Sequence, residues 1–197
     1  MDADKNKKQR QKSELRSQIR AALKSLPPEK RAAASAQLRA NLKEQSFFQS
    51  AVTVLFFAPL PDEADIWPLL EESLPAGKTI ALPGFDPATQ TYVARRVKNL
   101  EGEIVTGQFG IREPANDCPE IPLAEIHLVL VPGVAFDLRG NRLGRGRGFY
   151  DRLLTEVRGV KCGIAFDGQI VDEVPADARD AWMDFVLTPT CCVKADK

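Results

Sequence analysis

One histidine in 197 residues, His127, is the first scarcity in this sequence, and it excludes whole classes of chemistry. Zinc sites are assembled from histidines and paired cysteines, yet the four cysteines, Cys118, Cys162, Cys191 and Cys192, include no CxxC spacing. Adjacent cysteines rarely bridge one another, so all four read as free, packed thiols of a reducing compartment, and the cytoplasm is expected. His127 opens the apolar run His127-Leu-Val-Leu-Val131 and is expected to be structural, at a strand end, with no partner to orient it as a base. No stretch approaches the roughly 18–20 apolar residues that cross a bilayer. The amino terminus, MDADKNKKQRQK, has no apolar segment behind its charges, so it does not read as a secretory signal. An excess of one charge is lacking too. Lys plus Arg number 27 and Asp plus Glu number 27, so no global field draws nucleic acid or a membrane, and neither is expected as a partner. Anion binding must come from local clustering.

What is present has the composition of a globular chain. Residues 1–10 are polar and expected to be a flexible end, followed by a single domain over 11–197. From Ser13 to about Ser25 the apolar positions Leu15, Ile19, Ala22, Leu23 and Leu26 recur at three and four residues, a helical period. Pro27-Pro28 stops that helix and starts an Ala-rich second one to about Lys43. Val52–Phe57 reads as a strand covered on both faces, and Pro59-Leu-Pro-Asp-Glu63 as a turn. Asp65 is placed to cap a helix to about Leu74. Further strands are expected at Lys78–Pro83, Thr91–Val97, Leu128–Val131, Val160–Phe166 and Trp182–Leu187, with a helix from Phe149 to Val157 and loop with short strand pieces over 98–125. Strands alternating with helices predict an α/β fold with a largely parallel sheet.

The chemistry concentrates in Arg142-Leu-Gly-Arg-Gly-Arg-Gly-Phe-Tyr-Asp151. Gly144, Gly146 and Gly148 let backbone N–H groups turn towards a ligand, and the helix that follows adds the positive end of its dipole. Arg142, Arg145 and Arg147 add forked donors suited to phosphate oxygens. The segment is neither GxxxxGK[ST] nor a dinucleotide fingerprint. The bland alternative is a flexible, RGG-like loop, but its position between a buried strand and a helix argues for an ordered anion cradle. Asp151, expected at the surface of the cleft, suits the helix dipole; beside a polyphosphate it also suits magnesium. A second acid is then needed, and Asp177, Asp180 and Asp184 are all candidates.

At this point the residues resemble a known family. Val131-Pro-Gly-Val-Ala-Phe-Asp137 and Gly140-Asn-Arg-Leu-Gly-Arg-Gly-Arg-Gly-Phe-Tyr-Asp-Arg152 closely resemble the signature of 5-formyltetrahydrofolate cyclo-ligases. Lys12-Ser-Glu-Leu-Arg16, Pro59–Glu63, Phe109-Gly-Ile-Arg-Glu-Pro114 and Pro175–Thr188 are similar to further family elements, so the likeness spans nearly the whole chain. The resemblance implies a three-layer α/β domain with two amino-terminal helices and a monomeric enzyme. It also implies conversion of 5-formyltetrahydrofolate with ATP and Mg2+ to 5,10-methenyltetrahydrofolate, ADP and phosphate, by phosphorylation of the formyl oxygen and ring closure by N10.

Carried over position by position, the resemblance assigns nucleotide binding to Lys12, Arg16, Arg142, Leu143, Gly144, Arg145, Gly146, Arg147, Gly148, Phe149 and Tyr150. Arg145, Arg147 and Tyr150 are the implied catalytic groups. Ala58, Glu63, Arg145, Gly146, Arg147, Gly148 and Phe149 are the implied folate contacts, and Asp151 and Asp180 the implied metal ligands, with Asp184 structural. Trp67, Phe57 and Tyr150 offer flat surfaces to the ring system. A non-catalytic folate-binding relative and an ATP-dependent phosphotransferase on another small molecule are the competing readings.

Overall fold

The computed structural model of the chain describes residues 2–107, 110–177 and 180–196, and side chains from residue 6 onward. In chain order the elements are α1 (Asp2–Ser25), α2 (Pro28–Glu44), α3 (Ser46–Ser50), β1 (Thr53–Leu55), α4 (Trp67–Ser73), β2 (Thr79–Asp86), β3 (Thr91–Val97), β4 (Ile104–Thr106) and β5 (Arg112–Pro114). Then follow β6 (Leu128–Pro132), β7 (Ala135–Phe136), β8 (Arg142–Leu143), α5 (Phe149–Glu156), β9 (Val160–Ile164), β10 (Phe185–Leu187) and β11 (Cys192–Lys194). The first helix starts at Asp2, well before the apolar period begins. Charge contacts support the extension: Arg10 pairs with Glu14 one turn on, and Lys8 Nζ donates to the Ala176 carbonyl.

The main sheet runs β11-β10-β9-β6-β1-β2-β3. The strands from β10 to β2 are mutually parallel, and β3 and β11 close the two edges antiparallel. The expected largely parallel sheet is therefore present. Alternation along its central strands explains why helices cover both faces. Leu128 and Leu130 join one cluster with Val54, Phe56, Ile19, Leu23, Leu38 and Leu70. Val129 and Val131 join the other with Leu55, Leu153, Leu154 and Val186. Each such side chain stabilises the fold by about 1.5–3 kcal/mol when fully buried, and the two faces together make three layers. His127 is structural, as expected, its Nδ1 accepting the Thr53 N–H at the entrance to β1.

β1 leads to β2 on one side, and β6 joins it in parallel on the other, so the strand order reverses between β1 and β6. In an open parallel sheet the crevice beyond the carboxyl ends at such a switch point is the place for a ligand. Phe57 and Ala58 follow β1 there, Pro132 ends β6 and Gly133 follows it. Phe136, fully buried, packs its ring against Gly133, where an added Cβ would lie 2.6 Å from it, and against Gly163, at 2.5 Å. Neither contact leaves room for a methyl group. Gly133→Ala is expected to destabilise by roughly 1–3 kcal/mol and to lower the melting temperature by about 2–12 °C. Calorimetry checks this, and a melting point within a degree of the parent's contradicts it.

Candidate functional site

The Arg-Gly loop is positioned from beneath by a buried carboxylate. Asp137 directly follows β7, the first strand of the β7–β8 hairpin, and is fully buried; its Oδ1 accepts the N–H groups of Arg139 and Asn141, both at 3.0 Å. Its Oδ2 accepts the Val174 N–H at 3.0 Å and the Asn141 side-chain amide at 2.9 Å. The turn between β7 and β8 is thereby fixed to the segment that follows β9. Beyond β8 the chain passes through Gly146, with φ +99°, and Gly148, with φ +68°, conformations that disfavour any side chain. Gly148 is the N-cap of α5 and caps it with no side chain, so Phe149, Tyr150 and Asp151 form the first turn.

Opposite this loop stands the Pro59–Glu63 turn, held by α2. Arg31 donates to the Pro61 carbonyl, Arg39 Nη1 to the Asp65 carbonyl at 2.6 Å, and the Asp65 N–H to Ser35 Oγ at 3.0 Å. Asp65 also accepts the Trp67 N–H at 3.1 Å, but it lies one residue before the N-cap expected of it: α4 is capped at Ile66, with no side-chain cap hydrogen bond. Between loop and turn lies a cavity of about 430 Å³, a size suited to a small ligand. Phe57, Pro83, Ile111, Phe149 and Leu153 supply its apolar walls. Ala58, Glu63, Gly144, Gly146, Gly148 and Tyr150 line it as well, together with Arg142, Arg145, Arg147 and Asp151.

The charged groups of the site are paired across elements that are far apart in the sequence. Arg145 Nε and Nη2 donate to Glu63 Oε1 at 3.1 and 3.0 Å, and Nη2 also meets Asp62 Oδ1 at 2.6 Å. Glu63 Oε2 accepts the Leu60 N–H at 3.0 Å. Burial raises the Glu63 carboxyl above its usual 4.5, and the Leu60 N–H and Arg145 only partly counter that. Burial pulls the Arg145 guanidinium down, but Asp62 and Glu63 outweigh it and leave it raised. Arg142 is turned under the loop: its Nη2 meets Asp151 Oδ1 at 2.5 Å, and its side chain is 3% exposed. Lys12, 8% exposed, donates to Asp177 Oδ2 at 2.7 Å and Asp180 Oδ2 at 2.8 Å. Arg16 Nε reaches the Gly144 carbonyl at 2.8 Å, and burial, with Arg20 beside it, lowers its affinity for protons. Leu143, expected to bind nucleotide, is instead buried in the core and is not among the residues that line the cavity.

Asp151 and Asp180, the two implied metal ligands, border one open depression of about 1000 Å³ beside α5. Among the described residues no cluster of three or more His, Cys, Asp or Glu side chains is grouped to hold a metal. Asp184 accepts the Lys161 N–H at 2.9 Å, tying the start of β9 to the last parallel strand, which is the structural role expected of it. Phe109, in the Phe109–Pro114 element, lies outside the described residues.

Sequence reasoning missed several groups that shape the site. Asp62 shares Arg145 with Glu63, whereas Asp177, a candidate second acid in the sequence, pairs with Lys12. Tyr92 lines the cavity in an edge-on trio with Phe85 and Phe149. Burial first, then Glu113, pushes its phenol up to about 12. Burial likewise drives the Tyr150 phenol upward, with Glu63 adding to it, so both hydroxyls stay protonated near neutral pH. Alternating Thr91-Tyr-Val marked Tyr92 only as a strand residue; nothing local in the sequence pointed it at the cavity.

Residues 8–189 match the model of the 5-formyltetrahydrofolate cyclo-ligase family. A 5-formyltetrahydrofolate cyclo-ligase of Mycolicibacterium smegmatis is 35% identical over 185 residues, covering 91% of this chain and 94% of that protein. The Escherichia coli K12 protein of the same name is 32% identical over 176 residues, 87% of this chain and 97% of its own. The solved structure of Aquifex aeolicus 5,10-methenyltetrahydrofolate synthetase superposes with a TM-score of 0.86 at 34% identity, covering 94% of this chain and 93% of that one.

Proposed function

Because this chain belongs to the 5-formyltetrahydrofolate cyclo-ligase family, we propose that it converts 5-formyltetrahydrofolate, ATP and Mg2+ to 5,10-methenyltetrahydrofolate, ADP and phosphate. The observation that carries this reading is one cavity with two chemistries on facing walls. A buried carboxylate, Glu63, stands on one side and the Arg-Gly loop on the other. Such a site suits a heterocycle with adjacent N–H donors held beside a polyphosphate.

An amide-like formyl oxygen is a poor leaving group. Transfer of the γ-phosphoryl group to it, with ADP leaving, makes phosphate the leaving group when N10 attacks the formyl carbon. Such transfers are catalysed by positioning and charge neutralisation. Glu63 accepts the paired N–H donors of the aminopyrimidine edge and orients the ring. Arg145 and Arg147 offset charge at the transferring group, and Tyr150, kept protonated, donates a hydrogen bond. Lys12 and Arg16 reach the triphosphate from α1. The carboxylates fit a divalent cation: Asp151 spends Oδ1 on Arg142 and Asp180 spends Oδ2 on Lys12 and the Asp177 N–H. Each keeps its other oxygen for the metal, as suits magnesium, which takes most of its ligands from phosphate and water. Bound there, magnesium supplies neutralisation of phosphate charge. The free thiols suit a cytoplasmic enzyme, and among the described residues no helix is long and apolar enough to cross a membrane.

Purified protein with the formyl substrate, ATP and magnesium should develop the near-ultraviolet absorbance of the methenyl product, and omission of either ATP or magnesium should abolish it. Absence of that absorbance from the complete mixture overturns the reading. A pH dependence follows from Glu63. Its carboxyl is raised, so as pH falls it is protonated before an ordinary glutamate is. A protonated Glu63 no longer accepts both N–H donors, so KM for the folate should rise as pH falls through a midpoint above 4.5. Initial-rate measurements across that range check it. The Glu63→Gln enzyme should start with a higher KM and show no such midpoint; an identical profile in both removes Glu63 from the folate wall.

A further inference from the structure

Two arginines of the cavity stand apart from the pairing that governs the rest. Arg20, on α1, and Arg112, at the start of β5, both line the cavity and both are exposed, whereas Glu63 is 9% exposed. Exposure therefore orders the cavity: Glu63 marks its floor and the two arginines its mouth. Among the described residues neither Arg20 nor Arg112 has a carboxylate within ion-pair distance, while Lys12, Arg142 and Arg145 each do. Arg112 is nevertheless held in place. Its guanidinium carbon lies 3.6 Å from the ring centroid of Trp67, and Trp67 is itself buried. Stacking on the indole engages one face of the guanidinium and leaves its in-plane N–H fork directed elsewhere, the geometry that receives a carboxylate.

Resting on the cyclo-ligase reading, we propose that Arg112 on its Trp67 platform, with Arg20, forms the subsite for the carboxylates of the substrate's glutamate tail. The chemistry of the substrate matches the order of the cavity. Its pterin carries N–H donors at one end, an apolar aminobenzoyl ring lies in the middle, and carboxylates end the molecule. Set on Glu63, with Phe57 and Ile111 along the middle, it directs its anionic end to the mouth. Two cations without acid partners there neutralise the tail without first giving up an ion pair.

The test compares 5-formyltetrahydrofolate with 5-formyltetrahydropteroate, which lacks the glutamate, in the full-length enzyme. Arg112→Gln should raise KM for the glutamyl substrate about tenfold, the loss of one charge-assisted contact, with kcat held within about twofold. Arg112→Lys should lie between parent and Gln, and Arg112→Glu beyond Gln. The parent's preference for the glutamyl substrate should shrink in step, and Arg20→Gln should act in the same direction. An equal loss on both substrates would mean that Arg112 only braces the wall against Trp67, and overturns the inference. So does a raised KM for ATP with the folate KM steady, which assigns the cation to the triphosphate. A parent enzyme that turns over both compounds equally well defeats the tail subsite alone, whereas one that turns over neither defeats the cyclo-ligase reading with it.

Discussion

Arg145→Ala is expected to lower kcat/KM for the folate by about a thousandfold or more, in the range of a lost arginine at a phosphoryl-transfer centre. The size of the effect comes from the two walls this residue joins. Its backbone belongs to the Arg-Gly loop, and its guanidinium lies on Asp62 and Glu63 across the cavity. Truncation removes the charge that neutralises the transferring group, and it also leaves Glu63 in a dry setting without its cation. The Glu63 carboxyl, already raised by burial, then rises further. The residual activity of the variant should therefore fail at a higher pH than the parent's as the solution is acidified, a signature that simple misfolding does not produce. Arg145→Lys keeps charge but loses the fork, and should fall between the two. Steady-state kinetics across pH measure both effects; a drop of less than tenfold, with an unmoved pH midpoint, contradicts them.

Replacing Asp151 is expected to act on turnover and on folding together. Turnover should fall on the order of a hundredfold or more, because neutralisation by a metal contributes several kcal/mol to such a transition state. From sequence, the residue was expected at the surface of the cleft, where a change spares the fold. It does line the cavity, but its side chain, 29% exposed, pairs with Arg142, which is 3% exposed, so removal strands a buried guanidinium. A wholly buried pair broken in this way costs about 3–5 kcal/mol. Partial exposure of Asp151 reduces that to roughly 1–3 kcal/mol for Asp151→Ala, with Asp151→Asn milder because an oxygen acceptor remains. The double change Asp151→Asn with Arg142→Met should recover stability but not turnover. Thermal melts and rates of the same preparations separate the two effects, and a double variant that regains activity removes Asp151 from the metal site.

Most of the layers were legible because local patterns encode them. The apolar runs around Val54, Val129 and Cys162 are strands buried on both sides, and their period alone distinguishes them from the amphipathic stretch after Gly148. Edges were harder. β11 rests on Cys192, Val193 and Lys194, too few and too mixed to show alternation, and it is a strand because β10 offers it an open edge. Helix α3 is five residues long and lacks room for a period. In the site, Arg-Gly alternation identified the loop, since only closely spaced glycines and cations make a cradle of this kind. The partners of those cations were not readable. Lys12 meets acids 165 and 168 positions away, and Arg145 meets Glu63 across 82, distances over which composition carries no signal. Asp62 and Tyr92 entered the site through that long-range geometry.

The account rests on the stretch from Gly144 to Asp151 gripping a triphosphate and its cation. A crystal structure of the enzyme with magnesium and a non-hydrolysable ATP analogue tests this most directly. Phosphate oxygens within hydrogen-bonding distance of the backbone N–H groups between Gly144 and Phe149, with the metal on Asp151, is the result expected. A triphosphate bound away from this loop, or a metal that leaves Asp151 on Arg142 alone, would contradict it.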